Sequence, residues 1–595
     1  MKNNLVIYPS NQFYLNNLNN IFIDRFVSDQ YYENINHSNE SQYVITKIDS
    51  KTRKENFSLA DRVFYEILDC IKNEFNFIFK NNFDIKFYEI IIGPWLRYFV
   101  YQFINKYKTI LSAINNHSID MCTIYDTSEL LYFFNNTELL SNAANDNKWN
   151  AGIYSYILEN LNTKIKFKKI ILEDKILYNS IIKKKKKNKV YNFLNYLSDK
   201  IPNYSNGLIY RTGFGGHGFY YEKKLEVTLK QIPRYYKLDF EYNISKYNLN
   251  FRSKFNFEKF QRKDSYNHNN EFVKVCDLIL GILSKSIPII FIEDFNYMMN
   301  FSDKLNFPKK PQFILTSFAH ETIEPFKFYL ACQKFKNKKL KYFIYQHGSS
   351  FITSIDSSYG HVFKTADFVI IWGKTKDPIF KNIISHQNFK LLDKRYFADK
   401  QCDDILIFMR SSGSNLSPYD IYSEKINKIN LMLEFLKKID NKFKSKIIIR
   451  AHPNAKKIFR KYDDFFNIND HKYKLDYGKI PYFKALNRAK LIIFGYDSSG
   501  ILEAIIANKP FVCLWPNLFE HLNEFVKADY KLLKEVKILF DNPDELSEHI
   551  KNNWENLNDW WLEEDTQRNL KKFSENFSIK PDKNFYKNLN KMLIN

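Results

Sequence analysis

From about residue 285 onward, short apolar runs alternate with amphipathic helical patterns. The runs "PQFILTSFAH", "LKYFIYQHG" and "ADFVIIWG" are rich in Ile, Val, Phe and Tyr, and "ETIEPFKFYLACQKFK" between the first two has the apolar period of a helix. Strands with unbroken apolar runs are buried on both faces, which is typical of parallel sheets covered by helices. The alternation therefore predicts an α/β fold class.

The same alternation begins afresh after "NFKLLDKRYFADKQ", at a junction near 385–402. Strands are predicted at "DDILIFMR", "KSKIIIRAH", "AKLIIFG", "PFVCLWP" and "VKILF", with helices near 418–440, 480–489, 500–508 and 543–555. A single core rarely exceeds roughly 250–300 residues, so 595 residues predict two or three domains. We expect two doubly wound, Rossmann-like domains facing a cleft, with these bounds: 1–390 with an irregular insertion near 150–270, 391–575, and a C-terminal tail at 576–595.

Three segments outside this alternation also carry predictions. "FYEIIIGPWLRYFVYQFINKY" reads as a strand followed by a long helix with Pro94 at its first position. "IPIIFIED" reads as another strand. "NLNDWWLEEDTQRNLKKFSENF" reads as a C-terminal helix that packs through Trp560 and Trp561 and bridges back to the first domain.

The chain has a formal net charge of +23. Its basic residues are spread along the sequence, which favours a generally lysine-rich composition over a surface evolved for polyanions. The dense run Lys183–Lys189 is most simply a solvated loop or helix end. The alternative is contact with anionic lipid at the inner membrane face, where each Lys or Arg adds about 1 kcal/mol.

Targeting signals and cysteine spacing indicate the cellular compartment in which a protein resides. The N-terminus shows no basic, apolar and small-residue leader, and no run approaches the roughly 18 apolar residues of a membrane span. The six cysteines show no C-x-x-C spacing and are predicted to be buried reduced thiols. We expect a cytoplasmic protein, and the alternative is a cytoplasmic protein in peripheral contact with the inner membrane.

Ligands of doubly wound sheets bind outside the carboxyl ends of the strands. After "LIIFGY" comes a turn of Asp497, Ser498, Ser499 and Gly500, followed by a predicted helix. Backbone N–H groups and the helix dipole favour an anion at such a helix start, and phosphate is the natural occupant. Glu503, one turn along, could reach a ribose hydroxyl. Taken alone, the turn is more simply an ordinary helix cap.

Two further strand ends add candidate donor-binding residues. In "RAHP", Arg450 precedes His452, and Pro453 holds that histidine in a rigid turn where its imidazole can donate to a phosphate. The end of the first strand in this half contributes four more candidates: Arg410, Ser411, Ser412 and Gly413. Two anion-friendly strand ends one βα unit apart favour a phosphate site over separate structural roles.

The candidate catalytic residues lie in the first half of the alternation. "QHGSSF" places His347 at a strand end, before a glycine that allows a ligand to approach closely. His347 could be a general base or a phosphate partner, with a core or capping role as the alternative. In "FAHETIE", His320 and Glu321 are the next candidates, and Glu321 could be a base or a helix N-terminal charge.

Glycine is scarce in this chain, yet several glycines gather in "NGLIYRTGFGGHGFY". We predict that Gly213, Gly215, Gly216 and His217 form an acceptor-binding or lid loop. A hairpin turn is the alternative, and the loop lacks the strand and helix that flank a dinucleotide fingerprint.

Several catalytic motifs are absent from the sequence. It contains no GxxxxGK[ST] loop, no metal-binding Asp-x-Asp pair of sugar transferases, no HExxH and no GxSxG. We therefore expect a site with no metal and no resident cofactor, in which helix ends, His and Arg stabilise charge.

Two doubly wound domains, with "RAHP" after a strand of the second domain and "YDSSG" one unit later, resemble the GT-B glycosyltransferases that use cytidine-nucleotide donors. These are bacterial sialyltransferases, capsule Kdo transferases and teichoic-acid glycerophosphotransferases. The resemblance implies a GT-B-like fold in which His452, Pro453, Ser498 and Ser499 bind the donor nucleotide and its phosphate. The chain is also similar, over residues 1–575, to the surface-carbohydrate transferases of spirochaete lipopolysaccharide O-antigen loci. The similarity is carried by "EIIIGPWL", "YQHGSSF" and "FVIIWG".

The expected activity is transfer of a CMP-activated nonulosonate or Kdo to a glycan or lipid-linked acceptor in capsule or O-antigen synthesis. Ser498, Ser499 and His452 would stabilise the departing phosphate, where one donor is worth about 3–4 kcal/mol. His347, or next Glu321, would take the acceptor proton. The alternatives are a CDP-polyol phosphotransferase and a non-catalytic basic scaffold or nucleic-acid binder, for which a focused basic stripe is missing.

Overall fold

A computed structural model shows that the chain forms two compact units. It describes residues 2–34, 42–44, 49–178, 206–212, 244–261, 270–348, 350–355, 359–375, 378–391, 403–409, 422–451, 467–468 and 471–594. The described residues up to Lys341 form the first unit, except Arg211 and Thr212, which belong to the second unit with the residues from Tyr342 onward. The domain boundary at residue 390 stays a prediction.

The first unit contains a four-stranded parallel sheet. Its strands are β1 (Asn3–Val6), β2 (Asn19–Phe22), β3 (Ile119–Tyr125) and β4 (Lys166–Ile170). They pair in the order β2-β1-β3-β4, parallel throughout. The same unit also contains the parallel pair β5 (Gly207–Ile209) and β6 (Phe313–Thr316). Strand β4 is polar and exposed, so no apolar run marks it in the sequence.

Helices cover these strands and form much of the first unit's core. They are α1 (Arg25–Asn34), α2 (Ser50–Phe79), α3 (Ile85–Asn116), α4 (Glu138–Ala143), α5 (Asn147–Glu159), α6 (Leu249–Arg252), α7 (Glu271–Ser286), α8 (Ile289–Ile292), α9 (Phe295–Asp303), α10 (Ala319–Thr322) and α11 (Glu324–Lys336). A 3-10 turn spans Glu258–Phe260.

The predicted strand in "FYEIIIGP" is wrong, because this segment lies in α3. Asp84 caps that helix by accepting the N–H of Phe87 at 2.9 Å, and Pro94 stands in the interior of the helix, where it was expected at the first position. Most side chains of α3 are buried, so the apolar residues do not alternate with polar ones as on an amphipathic helix. A helix buried nearly all round resembles a buried strand in a short window.

The predicted strand in "IPIIFIED" is also wrong. Ile289–Ile292 form the single helical turn α8 after Pro288, and all four side chains are buried. A short apolar run bounded by proline fits a buried strand and a buried helical turn equally well. Burial therefore could be predicted here, but the backbone conformation could not.

The second unit contains the parallel strands β7 (Lys341–Tyr345), β8 (Phe368–Ile371) and β9 (Ile383–Ser385), of which β7 belongs to it from Tyr342 onward. It also contains a six-stranded sheet of β10 (Asp404–Phe408), β11 (Ile447–Arg450), β14 (Lys474–Asp476), β15 (Ala489–Phe494), β16 (Phe511–Leu514) and β17 (Leu539–Phe540). Between β11 and β14, β12 (Asn467–Ile468) and β13 (His471–Lys472) form a small antiparallel pair.

The six-stranded sheet runs β14-β11-β10-β15-β16-β17, and all of its pairs are parallel. Numbered along the chain, this order is 3-2-1-4-5-6, the order of a dinucleotide-binding doubly wound sheet. Because crossovers between parallel strands are right-handed, the connections from β10 to β14 cover one face of the sheet and those from β15 to β17 cover the other face. The predicted α/β fold class is confirmed, and all five predicted strands of this half are present. The short strand β14 was missed.

The second unit has helices at the four predicted positions, near 418–440, 480–489, 500–508 and 543–555, together with helices that were not predicted. They are α12 (Ser350–Thr353), α13 (His361–Thr365), α14 (Tyr422–Lys438), α15 (Asn441–Lys444), α16 (Tyr482–Arg488), α17 (Ser499–Ile506), α18 (Lys527–Glu535), α19 (Pro543–Asn553), α20 (Leu557–Leu562), α21 (Glu564–Phe577) and α22 (Phe585–Ile594). 3-10 turns span Phe389–Leu391 and Glu524–Val526.

The C-terminal helix prediction is corrected in one respect, the number of helices. The segment forms two helices, α20 and α21, and its tryptophans pack beside the six-stranded sheet: Trp561 Nε1 donates to Asn508 Oδ1 at 2.8 Å, and the Trp560 ring lies 4.7 Å from that of His549. The return to earlier residues is made by the end of this segment, where the carbonyls of Glu575 and Asn576 accept the N–H groups of Lys374 and Thr375 at 3.1 and 3.0 Å, and by the residues that follow it. The N–H of Ile579 donates to the carbonyl of Trp372 at 2.7 Å, directly after β8.

Two further predictions can be compared with the described residues. Five of the six cysteines are described, and all five are buried and form no disulfide: Cys70, Cys122, Cys276, Cys332 and Cys513. In the described part of the chain, no helix combines the length and apolar character needed to cross a membrane. The run Lys183–Lys189 lies outside the described residues.

Gly373→Ala tests the C-terminal return to β8. A Cβ at residue 373 would lie 2.0 Å from the carbonyl oxygen of Asn576, which is backbone and cannot rotate away. We expect the variant to lower the free energy of unfolding by roughly 1–3 kcal/mol, the usual cost of overpacking. Denaturant unfolding measures this change.

Gly348→Ala is the matched control, because a Cβ there would meet only Ser499 Oγ, at the ordinary contact distance of 3.9 Å. Equal stability of the Gly373 variant and the wild type would contradict the observed packing of the C-terminal segment.

Candidate functional site

The strand order of the six-stranded sheet reverses between β10 and β15. The carboxyl ends of these strands lie side by side, with the N–H of Gly495 donating to the carbonyl of Phe408 at 3.0 Å. A Cβ at Gly495 would lie 3.0 Å from Met409 Sδ and 3.3 Å from the Phe408 oxygen, so the two chains approach closely. In doubly wound sheets this reversal is where ligands bind.

The turn after β15 starts α17 at this reversal. Ser498 is the N-cap residue, with extended φ and ψ of −117° and 143°, and its Oγ accepts the N–H of Gly500 at 3.1 Å. Ser499 is the first helical residue. A Cβ at Gly500 would lie 2.7 Å from Phe494 Cε1, so glycine lets the helix start pack directly against its strand. The predicted cap is confirmed and belongs to Ser498.

Asp497 has a different role from its neighbours in the turn. Its Oδ2 accepts hydrogen bonds from Thr353 Oγ1 at 3.1 Å and from the Tyr530 hydroxyl at 2.9 Å. Burial, together with the charge of Asp497, raises the pKa of Tyr530 well above its usual value, so this hydroxyl stays protonated and donates. The carboxylate thereby joins the end of β15 to α12 and α18, and we assign it a positioning role.

His347 and Gly348 lie beside the start of α17. Gln346 holds their turn: its Nε2 donates to the Gly348 carbonyl at 2.8 Å, and its Oε1 accepts the N–H of Trp372 at 2.7 Å. A Cβ at Gly348 would lie 3.9 Å from Ser499 Oγ. The structure therefore brings together two motifs that lie about 150 residues apart in the sequence.

Glu503 lies on the first turns of α17, where it is buried, and its charge interacts with that of Lys390. Burial lowers the pKa of Lys390, whereas the charge of Glu503 opposes that change. The Lys390 ammonium also lies 5.3 Å from the centre of the Trp372 ring. A lysine thus balances the carboxylate that was predicted to reach a ribose.

Arg450 ends β11, and its Nη1 is bound to structural partners. It forms an ion pair with Asp476 and donates to the carbonyl of Ile480 at 2.8 Å. Asp476 also accepts the N–H of Lys479 at 2.9 Å. This guanidinium therefore fixes the loop after β14. The remaining predicted residues of this half lie outside the described part: Arg410, Ser411, Ser412, Gly413, His452 and Pro453.

His320 and Glu321 lie in the first unit, on α10, which follows the carboxyl end of β6. His320 is buried, with Nε2 at 3.9 Å from Glu321 Oε1. Half of the Glu321 side chain is exposed, yet desolvation by surrounding protein raises its pKa to about 7. Such a carboxyl exchanges a proton near neutral pH, as a general base requires. The predicted loop residues Gly213, Gly215, Gly216 and His217 lie outside the described residues.

Sequence reasoning missed three residues around Asp497: Thr353, His521 and Tyr530. His521 follows β16, and its Nε2 lies 3.8 Å from Asp497 Oδ2. Its place after a strand was the available signal, although no motif marks it. Among the described residues, no group of three or more His, Cys, Asp or Glu side chains is arranged as metal ligands.

The sequence profile described as LIC12162 family transferase matches residues 4–593 of the chain. None of the curated proteins matches the chain.

Several solved structures show distant similarity. The spinosyn rhamnosyltransferase SpnG, complexed with spinosyn aglycone, is 8% identical, with 48% of this chain and 73% of that chain covered and a TM-score of 0.27. MurG of Acinetobacter baumannii is 11% identical, with coverages of 51% and 79% and a TM-score of 0.29. The UDP-GlcNAc 2-epimerase of Neisseria meningitidis, bound to UDP-GlcNAc, is 14% identical, with coverages of 52% and 88% and a TM-score of 0.28.

Glu321→Gln tests the raised pKa of the Glu321 carboxyl. Its pKa rises from the ordinary glutamate value of 4.5 to about 7 in the folded protein, so ionisation costs more folded than unfolded. Between these pH values the carboxyl is still protonated in the folded protein but ionised in the unfolded chain. The free energy of unfolding of the wild type therefore falls as the pH rises. We expect the free energy of unfolding of the wild type, relative to the glutamine variant, to fall between these pH values and then level off.

Denaturant unfolding from about pH 4.5 to 8 measures this difference. Glu535→Gln, at an exposed position, is the matched control. A difference that does not change with pH would contradict the raised pKa.

Proposed function

The chain belongs to the LIC12162 family of transferases, and we propose that it is a GT-B-like glycosyltransferase acting on a nucleotide-activated sugar. One observation carries the proposal. At the reversal of strand order, the Ser498 and Ser499 turn starts α17, and the His347 and Gly348 turn lies against Ser499. Both features are suited to an anionic ligand at the point where doubly wound sheets bind nucleotides.

The phosphate of the donor is proposed to bind at the start of α17. The helix dipole places about half a positive charge at this end. The Ser499 hydroxyl can donate to a phosphate oxygen, and Gly348 leaves room beside that hydroxyl because no side chain projects there. Hydrogen bonds to a charged group contribute about 1.5–3 kcal/mol each. The sequence adds His452 and Pro453 to this site through their resemblance to cytidine-nucleotide transferases.

The transfer step needs charge stabilisation and a proton acceptor. The acceptor oxygen forms a bond to the sugar's anomeric carbon, and the bond from that carbon to the phosphate oxygen breaks. The nucleotide phosphate leaves with the electron pair, stabilised by Ser498, Ser499 and the helix end, and the acceptor proton passes to a base. His347 is proposed as that base or as a phosphate partner, with Glu321 as the second candidate because of its pKa.

The donor is proposed to carry cytidine, as a CMP-activated nonulosonate or Kdo. This assignment depends on the resemblance of "RAHP" and "YDSSG" to cytidine-dependent transferases. Transfer of a polyol phosphate from a CDP donor uses the same groups and is the rival reaction. Because helix end, hydroxyl and imidazole groups can balance the phosphate charge, we propose that the reaction uses neither a bound metal nor a resident cofactor.

The acceptor is proposed to be a glycan or lipid-linked glycan of the cell surface, in O-antigen or capsule synthesis. The proposed place of reaction is the cytoplasm, with peripheral contact to the inner membrane through Lys183–Lys189. Both statements depend on the sequence resemblance and on charge.

Ser499→Ala tests the phosphate site. Loss of a hydrogen bond to a charged oxygen costs about 1.5–3 kcal/mol, so we expect the dissociation constant for CMP to rise roughly 10- to 100-fold. Gly348→Ala should weaken CMP binding too, because its methyl group would stand beside Ser499 Oγ. Thermal shifts with CMP, CDP, UMP, UDP, GDP and AMP, followed by calorimetric titration, measure binding.

Ser547→Ala, at a half-buried serine of α19 whose hydroxyl donates to the Lys438 carbonyl, is the matched control and should bind as the wild type does. Preference for a uridine or guanosine nucleotide, reduced by Ser499→Ala, would keep the phosphate site and reject cytidine. Unchanged binding in both site variants would reject the site itself.

A further inference from the structure

His521 stands at the end of the strand next to the proposed phosphate turn. Strands β15 and β16 are parallel neighbours, with Phe494 opposite Cys513, so their carboxyl ends lie together. The Nε2 atom of His521 is buried and lies 3.8 Å from Oδ2 of Asp497. We propose that His521, positioned by Asp497, accepts the proton of the acceptor hydroxyl. The inference deepens the proposed function and rests on it.

The backbone around His521 is fixed from the side of the His347 turn. The N–H of Ile355, just after α12, donates to the carbonyl of His521 at 3.0 Å, and Ser354 and Leu522 form an isolated β-bridge. The Trp515 ring stands edge-on to the imidazole, with ring centres 6.0 Å apart. These contacts set the ring's position, and 31% of the side chain remains exposed to a reactant.

The partner carboxylate is also held in place. Asp497 is only 9% exposed and accepts hydrogen bonds from Thr353 and Tyr530, both of which are neutral hydroxyls. A buried carboxylate is best stabilised by a positive charge. Among its described contacts, His521 is the group that can become positive. The titratable group that His521 approaches is Asp497, at the end of β15, and Asp497 in turn accepts from Tyr530 of α18, which stays protonated.

This arrangement assigns separate roles to the two ring nitrogens. With Nε2–H directed at Asp497, the lone pair of Nδ1 is the one available to a reactant. The acceptor O–H bond breaks and its proton passes to Nδ1. The oxygen bonds to the anomeric carbon, and the phosphate leaves with the electrons of the broken C–O bond. The resulting imidazolium lies beside Asp497, and His347 is then left to contact the phosphate.

A distance of 3.8 Å is longer than a hydrogen bond. Catalytic hydrogen bonds are often long before substrate binds and shorten in the reactive complex. A purely structural histidine would instead be expected to use its buried nitrogen in a close hydrogen bond.

His521→Gln removes the proton acceptor while keeping a polar side chain of similar reach. We expect kcat to fall about 100-fold or more, the usual contribution of a general base, with the KM for donor and the Kd for CMP within about 2-fold of wild type. The acid limb of the pH profile of kcat/KM, where the base is protonated, should disappear. Donor consumption is followed with a CMP-activated nonulosonate as the probe.

His117→Gln is the matched control, since His117 caps α3 in the other unit. His521→Ala provides a second readout: free imidazole should restore part of its activity, which a merely structural role would not allow. Wild-type turnover in the Gln variant would overturn the inference. A loss of activity without the pH change and without imidazole rescue would overturn it too. In either case, nucleotide binding would still support the proposed function. A wild type that neither binds nucleotides nor consumes donor would overturn both.

Discussion

The reversal of strand order between β10 and β15 determines where a ligand can approach the six-stranded sheet of the second unit. Crossovers leave the sheet on opposite faces at this point, so the carboxyl ends of the two central strands are not covered by a shared connection. Gly495 allows those strand ends to touch, and Gly500 allows α17 to start directly against β15. A Cβ at Gly495 would crowd Met409 and Phe408, and one at Gly500 would crowd Phe494.

The buried carboxylate of Asp497 connects this point to more distant parts of the unit. It holds Thr353, which follows the His347 turn, and Tyr530, which precedes the C-terminal helices, and it approaches His521. One side chain thus fixes the relative positions of three chain segments around the proposed phosphate site. These contacts give Asp497 a positioning role, and donor binding by Asp497, Ser498 and Ser499 stays a prediction.

The sequence was most informative where hydrophobic periodicity is unambiguous. Strands β10, β11, β15 and β16 are continuous apolar runs between clear helices, and each was predicted. The α3 segment and α8 were read as strands because nearly all-round burial removes the alternation that distinguishes a helix. The polar strand β4 gave no signal at all. In the site, the Ser498 cap follows from local turn chemistry, but the hydrogen-bond partners of Asp497 lie 33 and 144 residues away in the sequence, which no local pattern encodes.

Binding of a nucleotide phosphate at the start of α17 underlies every functional proposal made for this chain. An experimental structure of the protein saturated in turn with CMP and with UDP measures it most directly. We expect phosphate oxygens within hydrogen-bond distance of Ser498 or Ser499 Oγ, beside Gly348. A nucleotide phosphate bound elsewhere, or a site that stays empty at saturating concentrations of both nucleotides, would contradict the proposed phosphate site.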